Sequence, residues 1–255
     1  MLKVRVIPCL LLQNGGLVKT VKFKNPVYVG DPINAVRIFN DKEVDELLFI
    51  DIEASKQNRG PDYNLIAKIS NEVFMPFGYG GGVRSIEDIK KLTRLGVEKV
   101  CINSYGILNP DFISRAADIS GSQSIVAAVD VKKDFLGKDR VYHHIKGKTT
   151  SLDVLEYVQM LEQKGAGEIL LNSVDRDGTF AGYDLHLLKK VSEVLTIPVI
   201  ALGGAGSINH FVSAVKEAKV SAVAAGSFFV FYGAHRAVLI TYPDKEELKK
   251  GFEII

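Results

Sequence analysis

Cysteine is scarce in this sequence, because the 255 residues contain only two. Cys9 and Cys101 both lie in apolar runs, without the spacing of a metal site or the density of a disulfide-rich secreted domain. We therefore expect both thiols to pack in the core of a protein that works in the reducing cytoplasm.

Net charge and long apolar runs are also lacking. Lysine and arginine number 32 against 30 aspartates and glutamates, which gives a formal charge of +2. A field this weak argues against nucleic acid or an anionic membrane as the main partner. No apolar run approaches the roughly 20 residues that span a bilayer, and the N-terminal stretch lacks the apolar segment of a secretion signal. We expect a soluble protein.

The motifs of common cofactor and hydrolase sites are missing as well. The sequence has no P-loop, GxSxG, HExxH or strand-linked GxGxxG pattern. His143 and His144 have no acidic or cysteine partner at ligand spacing, and we interpret them as a solvated surface pair. The sequence therefore predicts no metal, nucleotide or flavin cofactor.

Eight short runs rich in Val, Ile and Leu alternate with longer segments that have apolar residues at helical spacing. The runs are KVRVIPCL (from Lys3), ELLFIDI (Glu46), EVFMPFGY (Glu72), EKVCIN (Glu98), SIVAAVDV (Ser124), EILLNSV (Glu168), IPVIAL (Ile197) and VSAVAAG (Val220). Nearly continuous apolar strands indicate burial on both faces. The pattern predicts an α/β protein with one domain over residues 1–255, a (β/α)8 barrel.

The chain also repeats at half its length. GGGVRSIEDIKKLTRLGVEKVCINS (80–104) aligns without gaps with GGAGSINHFVSAVKEAKVSAVAAGS (203–227). This predicts a pseudo-two-fold barrel with half-barrels of about 1–122 and 123–255. Each half should bring one anion site to the C-terminal mouth.

Glycines mark the two expected anion sites. Each cluster follows a strand and opens a helix, where a backbone without Cβ atoms lets amide groups approach a phosphate. Gly82 with Asn103 and Ser104 forms the first cradle, and Gly204, Gly226 and Ser227 form the second. The alternative is that the glycines only relieve crowding in tight turns. Lys19, after the first strand, either reaches a phosphate or is solvated.

Acids at strand ends are the candidates for proton transfer. Asp130 ends the fifth strand, where an isolated acid in a barrel is usually functional. Asp51, Asp175 and Asp177 are weaker candidates, since Asp51 could brace a loop and Asp177-Gly178 could be a plain turn. The repeat aligns Leu11 with Asp130, so one half has no acid there.

Charged residues stand at the opposite ends of four strands, namely Arg5, Glu46, Lys99 and Glu168. Charges that point into a barrel must pair, because an unpaired buried ion is costly. A stabilising ring of ion pairs and a polar gate in the floor are both consistent with the pattern.

With these residues identified, the sequence resembles the cyclase subunit of imidazole glycerol phosphate synthase along essentially its whole length. The matching segments are RVIPCL, GDPINA, DELLFIDIEAS, PFGYGGGV, EKVCIN, VAAVDVK, KGAGEILLNSVDRDGTFAGYD and IPVIALGGAG. The resemblance implies a lyase and cyclase barrel that docks a class I glutaminase on its bottom face. Ammonia would pass the floor and cross the barrel to the mouth, where a bisphosphorylated ribulosyl-formimino ribonucleotide is cleaved and cyclised.

The resemblance also implies roles for individual residues. The four floor charges match the gate, Gly82, Asn103 and Ser104 match one phosphate site, and Asp177, Gly178, Gly204 and Gly226 lie near the other. Asp130 matches one of two catalytic aspartates, and Leu11 replaces the second. Leu202, Tyr79 and Phe229 also depart from the family pattern, and we expect all three near the substrate end.

A retained floor and an altered mouth favour a diverged subunit that delivers ammonia to another phosphorylated or nucleotide-linked substrate. Relatives that resemble the chain in this way are associated with amidination of an N-acetyl sugar in surface polysaccharide synthesis. Two alternatives stay open: the family's own reaction in histidine biosynthesis, and a non-catalytic ammonia conduit that activates a glutaminase.

Overall fold

The structure, a computed structural model, describes residues 4–233 and 235–253. The strands are β1 (Arg5–Gln13), β2 (Gly16–Val21), β3 (Lys24–Gly30), β4 (Leu47–Asp51), β5 (Phe77–Gly80), β6 (Lys99–Ile102), β7 (Ile125–Lys133), β8 (Asp139–His143), β9 (Lys148–Asp153), β10 (Glu168–Ser173), β11 (Val199–Leu202), β12 (Ala222–Ala225), β13 (Phe231–Tyr232) and β14 (Ala237–Val238). The helices are α1 (Pro32–Asp41), α2 (Tyr63–Glu72), α3 (Ile86–Arg94), α4 (Ser104–Leu108), α5 (Asp111–Ser120), α6 (Val154–Gln163), α7 (Leu185–Val194), α8 (Ile208–Ala218), α9 (Ser227–Val230) and α10 (Lys245–Glu253), with a 3₁₀ turn at Ser122–Ser124.

Eight parallel strands close into a barrel in the order β1, β4, β5, β6, β7, β10, β11, β12, and β12 pairs back with β1. Helices alternate with these strands along the chain. The predicted (β/α)8 barrel is confirmed. Each of the eight predicted runs overlaps one of these strands, although Lys3 lies outside the described residues.

The third run was predicted too long. α2 continues to Glu72, and β5 begins only at Phe77. The backbone N–H of Phe74 donates to the Asn40 side chain at 3.1 Å instead of to a neighbouring strand. The Phe74 side chain is 87% exposed, so hydrophobicity alone misplaced the start of the strand.

Side-chain caps fix where several helices begin. Ser85 accepts from the N–H of Asp88 while the Asp88 side chain accepts from the N–H of Ser85, which forms the capping box that starts α3. Four other helices start after an aspartate whose side chain accepts from backbone N–H groups of the first turn, namely Asp31, Asp62, Asp153 and Asp184. Each cap terminates the loop that leads from a barrel strand, so the loops at the mouth have fixed ends.

Two hairpins that the sequence analysis missed stand over the mouth. β2 and β3 follow the first barrel strand, and β8 and β9 follow the fifth, so each half of the barrel carries one. The Phe23 ring at the tip of the first hairpin meets Tyr142 and His144 of the second edge-on, with ring centroids 5.9 and 5.5 Å apart. The two hairpins therefore follow strands that the predicted repeat places at equivalent positions.

Two apolar layers surround the barrel wall. The larger cluster packs the helices against the outside of the strands, and a second cluster fills the interior with residues such as Ile7, Leu48 and Val126. Both cysteines belong to the interior cluster and are 3% exposed, which confirms their packing role. Burial raises the pKa of the Cys9 thiol to about 12, so this thiol is neutral and unreactive. Across residues 4–233 and 235–253, none of the helices has both the length and the hydropathy needed to cross a bilayer.

Candidate functional site

The four predicted floor residues meet at the N-terminal end of the barrel. Arg5 joins two acids, with Nη1 2.6 Å from Glu46 Oε2 and Nη2 3.0 Å from Glu168 Oε1. Lys99 Nζ also lies 3.0 Å from Glu168 Oε1 and donates to the carbonyl of Gln123 at 2.7 Å. The residues form one connected ring of two cations and two anions.

The floor ring is partly withdrawn from water. The side chains of Glu46 and Glu168 are 7% and 9% exposed. Burial raises the pKa of Glu46, and the charge and hydrogen bond of Arg5 oppose that rise. Oε2 of Glu168 is buried and has no hydrogen-bond partner among the described residues. The ring is therefore polar and only partly exposed to water, which is consistent with a stabilising network and with a polar gate in the floor.

An open cavity lies at the other end of the barrel, where the strands end. It has a volume of about 200 Å³ and opens to solvent. The lining of this cavity includes Cys9, Cys101 and Leu170 from the interior cluster. The apolar interior thus lies between the charged ring and this mouth.

Asp130 is the buried acid of the mouth. Each carboxylate oxygen accepts one amide N–H, from Asn103 at 2.8 Å and from Asn172 at 2.9 Å. Burial raises the pKa of Asp130, while the nearby His144 and the two amides oppose that rise. The two amides fix the orientation of the carboxyl group, and the raised pKa suits it to give and take protons.

Leu11 lines the same cavity. It pairs in register with Ile50 on the neighbouring strand, and Leu202 and Ala128 complete an apolar part of the wall. Where the repeat aligns an acid, this structure has a hydrocarbon surface. Leu cannot exchange a proton, so this side of the mouth lacks the group that faces Asp130 in the family pattern.

The weaker acid candidates are occupied elsewhere. Asp51 lines the cavity, but it pairs with Arg59 at 2.8 Å and accepts from the backbone N–H groups of residues 53 and 54, so it braces its loop. Asp175 accepts from the N–H of Lys133 at 3.0 Å, away from the cavity wall. Among the described residues, the acids that line the cavity are Asp51, Glu53 and Asp130.

The first glycine cradle opens on the cavity. Gly82, Asn103 and Ser104 all contribute to its wall. The neighbouring Gly81 has φ +119°, and a Cβ there would lie 2.5 Å from the carbonyl oxygen of Asp51, so a residue without a side chain is required. The structure thus brings this cradle and Asp130 together around one space.

The second cradle is covered. Lys19 Nζ makes a buried ion pair with Asp177 Oδ1 at 2.8 Å, and the Lys19 stem lies against Gly226. Gly178 is packed against the backbone of the first hairpin, where a Cβ would be 2.5 Å from the carbonyl oxygen of Thr20. Gly204, Gly226 and Ser227 also lie outside the cavity wall. The residues predicted for the second phosphate site are near one another, but they do not share the space of the first.

Two sequence-based placements were wrong. His143 is only 2% exposed, and His144 lines the cavity with Nε2 3.1 Å from the carbonyl oxygen of Ile52, so the pair is not a solvated surface feature. The pair lies at the end of a hairpin that the sequence analysis did not predict, and this hairpin carries both rings inward. Asn172 and Glu53 also line the cavity and were missed.

Of the three other departures from the family pattern, only Leu202 faces the mouth. Tyr79 and Phe229 are 1% and 0% exposed and belong to the outer core. Strand alternation explains the direction of the Tyr79 side chain. The positions of Gly78 and Gly80 face the barrel interior, so the side chain at Tyr79 points toward the helices. Phe229 stacks on Phe211 and Tyr242. Neither aromatic residue can alter the shape of the mouth directly.

No metal site accompanies this arrangement. Within the part of the chain that the structure describes, no three His, Cys, Asp or Glu side chains are grouped so that they could hold a metal ion. The polar groups that line the cavity include the Asp130 carboxyl, the His144 imidazole and the amides of Asn103 and Asn172.

The fold and the geometry define a class: a (β/α)8 barrel with a polar site at the C-terminal ends of its strands and a charged ring across its floor. A model of a family described as "Histidine biosynthesis protein" matches residues 5–236. A curated protein of Pseudomonas aeruginosa, provisionally named imidazole glycerol phosphate synthase subunit hisF2, is 52% identical over 251 residues, which cover 98% of this chain and 100% of that protein.

Two other relatives carry similar provisional names. The HisF subunit of Leptospira interrogans is 48% identical over 253 residues, covering 99% of this chain and 100% of its own. The hisF3 subunit of Vibrio vulnificus is 46% identical over 255 residues, covering 100% of this chain and 98% of its own. The chain belongs to the histidine biosynthesis protein family, as a barrel of the imidazole glycerol phosphate synthase cyclase-subunit type.

Proposed function

We propose that this protein is the ammonia-accepting barrel subunit of a glutamine amidotransferase complex. A class I glutaminase docks on its bottom face, and ammonia passes the floor ring to an acceptor at the mouth. The observation that carries the proposal is the connected ring of Arg5, Glu46, Lys99 and Glu168 below an apolar interior. We expect the complex in the cytoplasm, in keeping with two free, buried thiols.

Reconstitution tests this proposal. The barrel is mixed with the glutaminase subunit of imidazole glycerol phosphate synthase, and glutamate release from glutamine is measured with and without it. We expect the barrel to stimulate glutamate release. The neutral double variant Arg5→Met/Glu46→Gln should lose most of the stimulation, whereas Arg37→Met, which removes an exposed ion pair on the helical surface, should keep it. Equal stimulation by all three proteins would contradict a role of the floor ring.

We propose further that the acceptor differs from the bisphosphate of histidine biosynthesis. Two observations support this: Leu11 removes one acid of the mouth, and the second cradle is filled by the buried Lys19–Asp177 pair. A ligand with a single anionic end fits one open cradle better than a ligand with a phosphate at each end. Our preferred acceptor is an N-acetyl sugar of surface polysaccharide synthesis, phosphorylated or nucleotide-linked, that becomes an acetamidino sugar.

Genuine imidazole glycerol phosphate synthesis is the second candidate. The names of the relatives and the retained Asp130 support it. To separate the two, the complete complex is given glutamine and the histidine-pathway bisphosphate, and formation of imidazole glycerol phosphate is followed. Vigorous turnover would rule out the diverged acceptor.

A non-catalytic conduit is the third candidate, in which the chemistry occurs on another protein. The hydrocarbon surface around Leu11 supports it, because a conduit needs no proton-transfer pair. Asp130→Asn separates it from the enzyme candidates. A pure conduit would still support product formation in the full complex, whereas an enzyme would lose it.

A further inference from the structure

His144 occupies a place at the mouth that its own sequence surroundings do not predict. Its hairpin rises from the fifth barrel strand, which also carries Asp130, yet the ring Nε2 bonds the carbonyl of Ile52 at the end of the second barrel strand. The second hairpin therefore reaches across the mouth, from the strand that carries Asp130 to Ile52 after β4. The Phe23 ring, 5.5 Å away and perpendicular to the imidazole, supports it from the other hairpin.

The carbonyl group of Ile52, which binds His144, lies next to the strand that carries Leu11. The N–H of Ile52 donates to the carbonyl of Leu12 at 3.1 Å, and the carbonyl of Ile52 holds the imidazole. Two consecutive hydrogen bonds thus link His144 to the residue that follows Leu11. The imidazole and Leu11 both line the cavity that contains Asp130.

The same carbonyl group defines the tautomer of the neutral ring. A carbonyl oxygen can only accept, so Nε2 carries the proton and Nδ1 keeps its lone pair. Nδ1 has no hydrogen-bond partner among the described residues, and it is not among their buried unpaired atoms. The neutral imidazole therefore has a fixed tautomer and an Nδ1 lone pair that is not buried, in a residue that lines the same cavity as Leu11.

We propose that His144 is the second proton-transfer group of the mouth, and that it works with Asp130 in place of the acid that Leu11 removes. This inference rests on the proposed function, since the reaction it serves is the addition of ammonia to an electrophilic carbon. The nitrogen bonds to a carbonyl carbon, the C=O π bond breaks, and the oxygen takes a proton from the neutral Asp130 carboxyl. The added nitrogen loses one proton to Nδ1 of His144. A proton that returns from the imidazolium to the Asp130 carboxylate restores both groups.

The electrostatics agree with this pairing. Burial raises the pKa of Asp130, His144 and the amides of Asn172 and Asn103 lower it, and Asp177 raises it further. His144 is therefore close enough to sense the charge of Asp130. The raised pKa of Asp130 favours the protonated carboxyl that the proposed step uses.

Glu53 is the competing candidate, because it also lines the cavity. Its oxygens are already engaged, with Oε1 3.1 Å from Gln13 Nε2 and Oε2 3.4 Å from Gln57 Nε2. Both bonds hold the carboxylate against the rim. Glu53→Gln therefore serves as the matched control for His144→Gln.

A nuclear magnetic resonance experiment tests the pairing without any substrate. Nitrogen-15 shifts of the imidazoles should show His144 as the Nε2–H tautomer, and His144→Gln should move the carboxyl titration of Asp130 upward. Glu53→Gln should not move it by a comparable amount. An Nδ1–H tautomer, or an Asp130 titration indifferent to His144→Gln, would overturn the proposal.

A turnover experiment tests the catalytic part, with the histidine-pathway bisphosphate and ammonium chloride as the probe. Because the proposed acceptor is a different molecule, we expect the wild type to turn over this bisphosphate only slowly. His144→Gln should lower that slow rate about 100-fold, and Leu11→Asp/His144→Gln should regain most of it. A wild type without turnover beside an active Leu11→Asp would overturn the proposal, as would an active His144→Gln. Stimulation of a glutaminase is measured on the same samples. A wild type that does not stimulate the glutaminase would refute the proposed function instead.

Discussion

Removing Arg5 from the floor ring should destabilise the barrel by an amount that the geometry bounds. Arg5→Met deletes two ion pairs, at 2.6 and 3.0 Å, to carboxylates that are less than a tenth exposed. Truncating one partner of a buried ion pair costs about 3–5 kcal/mol. Because the Arg5 side chain is 28% exposed and solvent screens part of the interaction, we expect the lower end, about 3 kcal/mol at neutral pH.

Most of that loss should come from Glu46. Glu168 keeps Lys99 at 3.0 Å, whereas Glu46 loses the partner at 2.6 Å. Adding Glu46→Gln to Arg5→Met removes the stranded charge and should recover about half of the free energy of unfolding. Arg37→Met, on an exposed pair with Glu72, is the control and should change little.

The loss should also depend on pH in a defined direction. Burial already raises the pKa of Glu46 above its ordinary value of 4.5, and without Arg5 it rises further. A carboxyl with a raised pKa in the folded state stabilises the fold while it is protonated and ceases to do so as pH rises through that pKa. The deficit of Arg5→Met should therefore be small below pH 4.5 and grow as the pH rises.

Urea denaturation at several pH values measures this deficit against the wild type. A deficit equal at acid and neutral pH, or a double variant no more stable than Arg5→Met, would refute this account of the floor.

Three further changes test other parts of the structure. Lys19→Met should lower the free energy of unfolding by about 3 kcal/mol in urea denaturation, because it leaves the buried Asp177 carboxylate without its cation, and it should speed proteolysis of the first hairpin. Adding Asp177→Asn should restore stability. A double variant that does not recover would contradict a stabilising ion pair. Gly81→Ala should lower the melting temperature more than Gly15→Ala, which shares a positive φ but has nothing within 4 Å of the new methyl group; equal losses would show that the contact with Asp51 is unimportant. Asp130→Asn should stabilise the fold more at alkaline than at acid pH relative to the wild type, because burial raises the pKa of Asp130 and its ionisation opposes folding. Urea denaturation at several pH values measures this difference, and a gain independent of pH would count against that cause.

The barrel and its floor were predictable from local sequence patterns. Apolar runs define strands wherever both faces are buried, and a charge at the start of such a run has to point into the floor or away from it. Arg5 and Glu168 follow this rule directly. Tyr79 does not, because its direction depends on the phase of the strand, which the glycines at positions 78 and 80 determine.

The hairpins set the limit of prediction at the mouth. Asn14-Gly15 is a strong signal for the two-residue turn that joins β1 to β2, and it could have predicted where the first hairpin begins. The turn at its tip carries no such signal, since Lys22 and Phe23 adopt positive φ without glycine. His144 was misplaced for the same reason: its position depends on a bond to Ile52, 92 residues away in the chain, which no local pattern encodes.

The edge-on contact between Phe23 and His144 makes the packing of the two hairpins mutually dependent. Each ring comes from a different copy of the repeat, and each rests on the other. A substitution at the tip of the first hairpin therefore changes the packing of the imidazole in the second, so the two tips cannot vary independently. A substitution at either ring should therefore be tolerated only with a compensating change at the other.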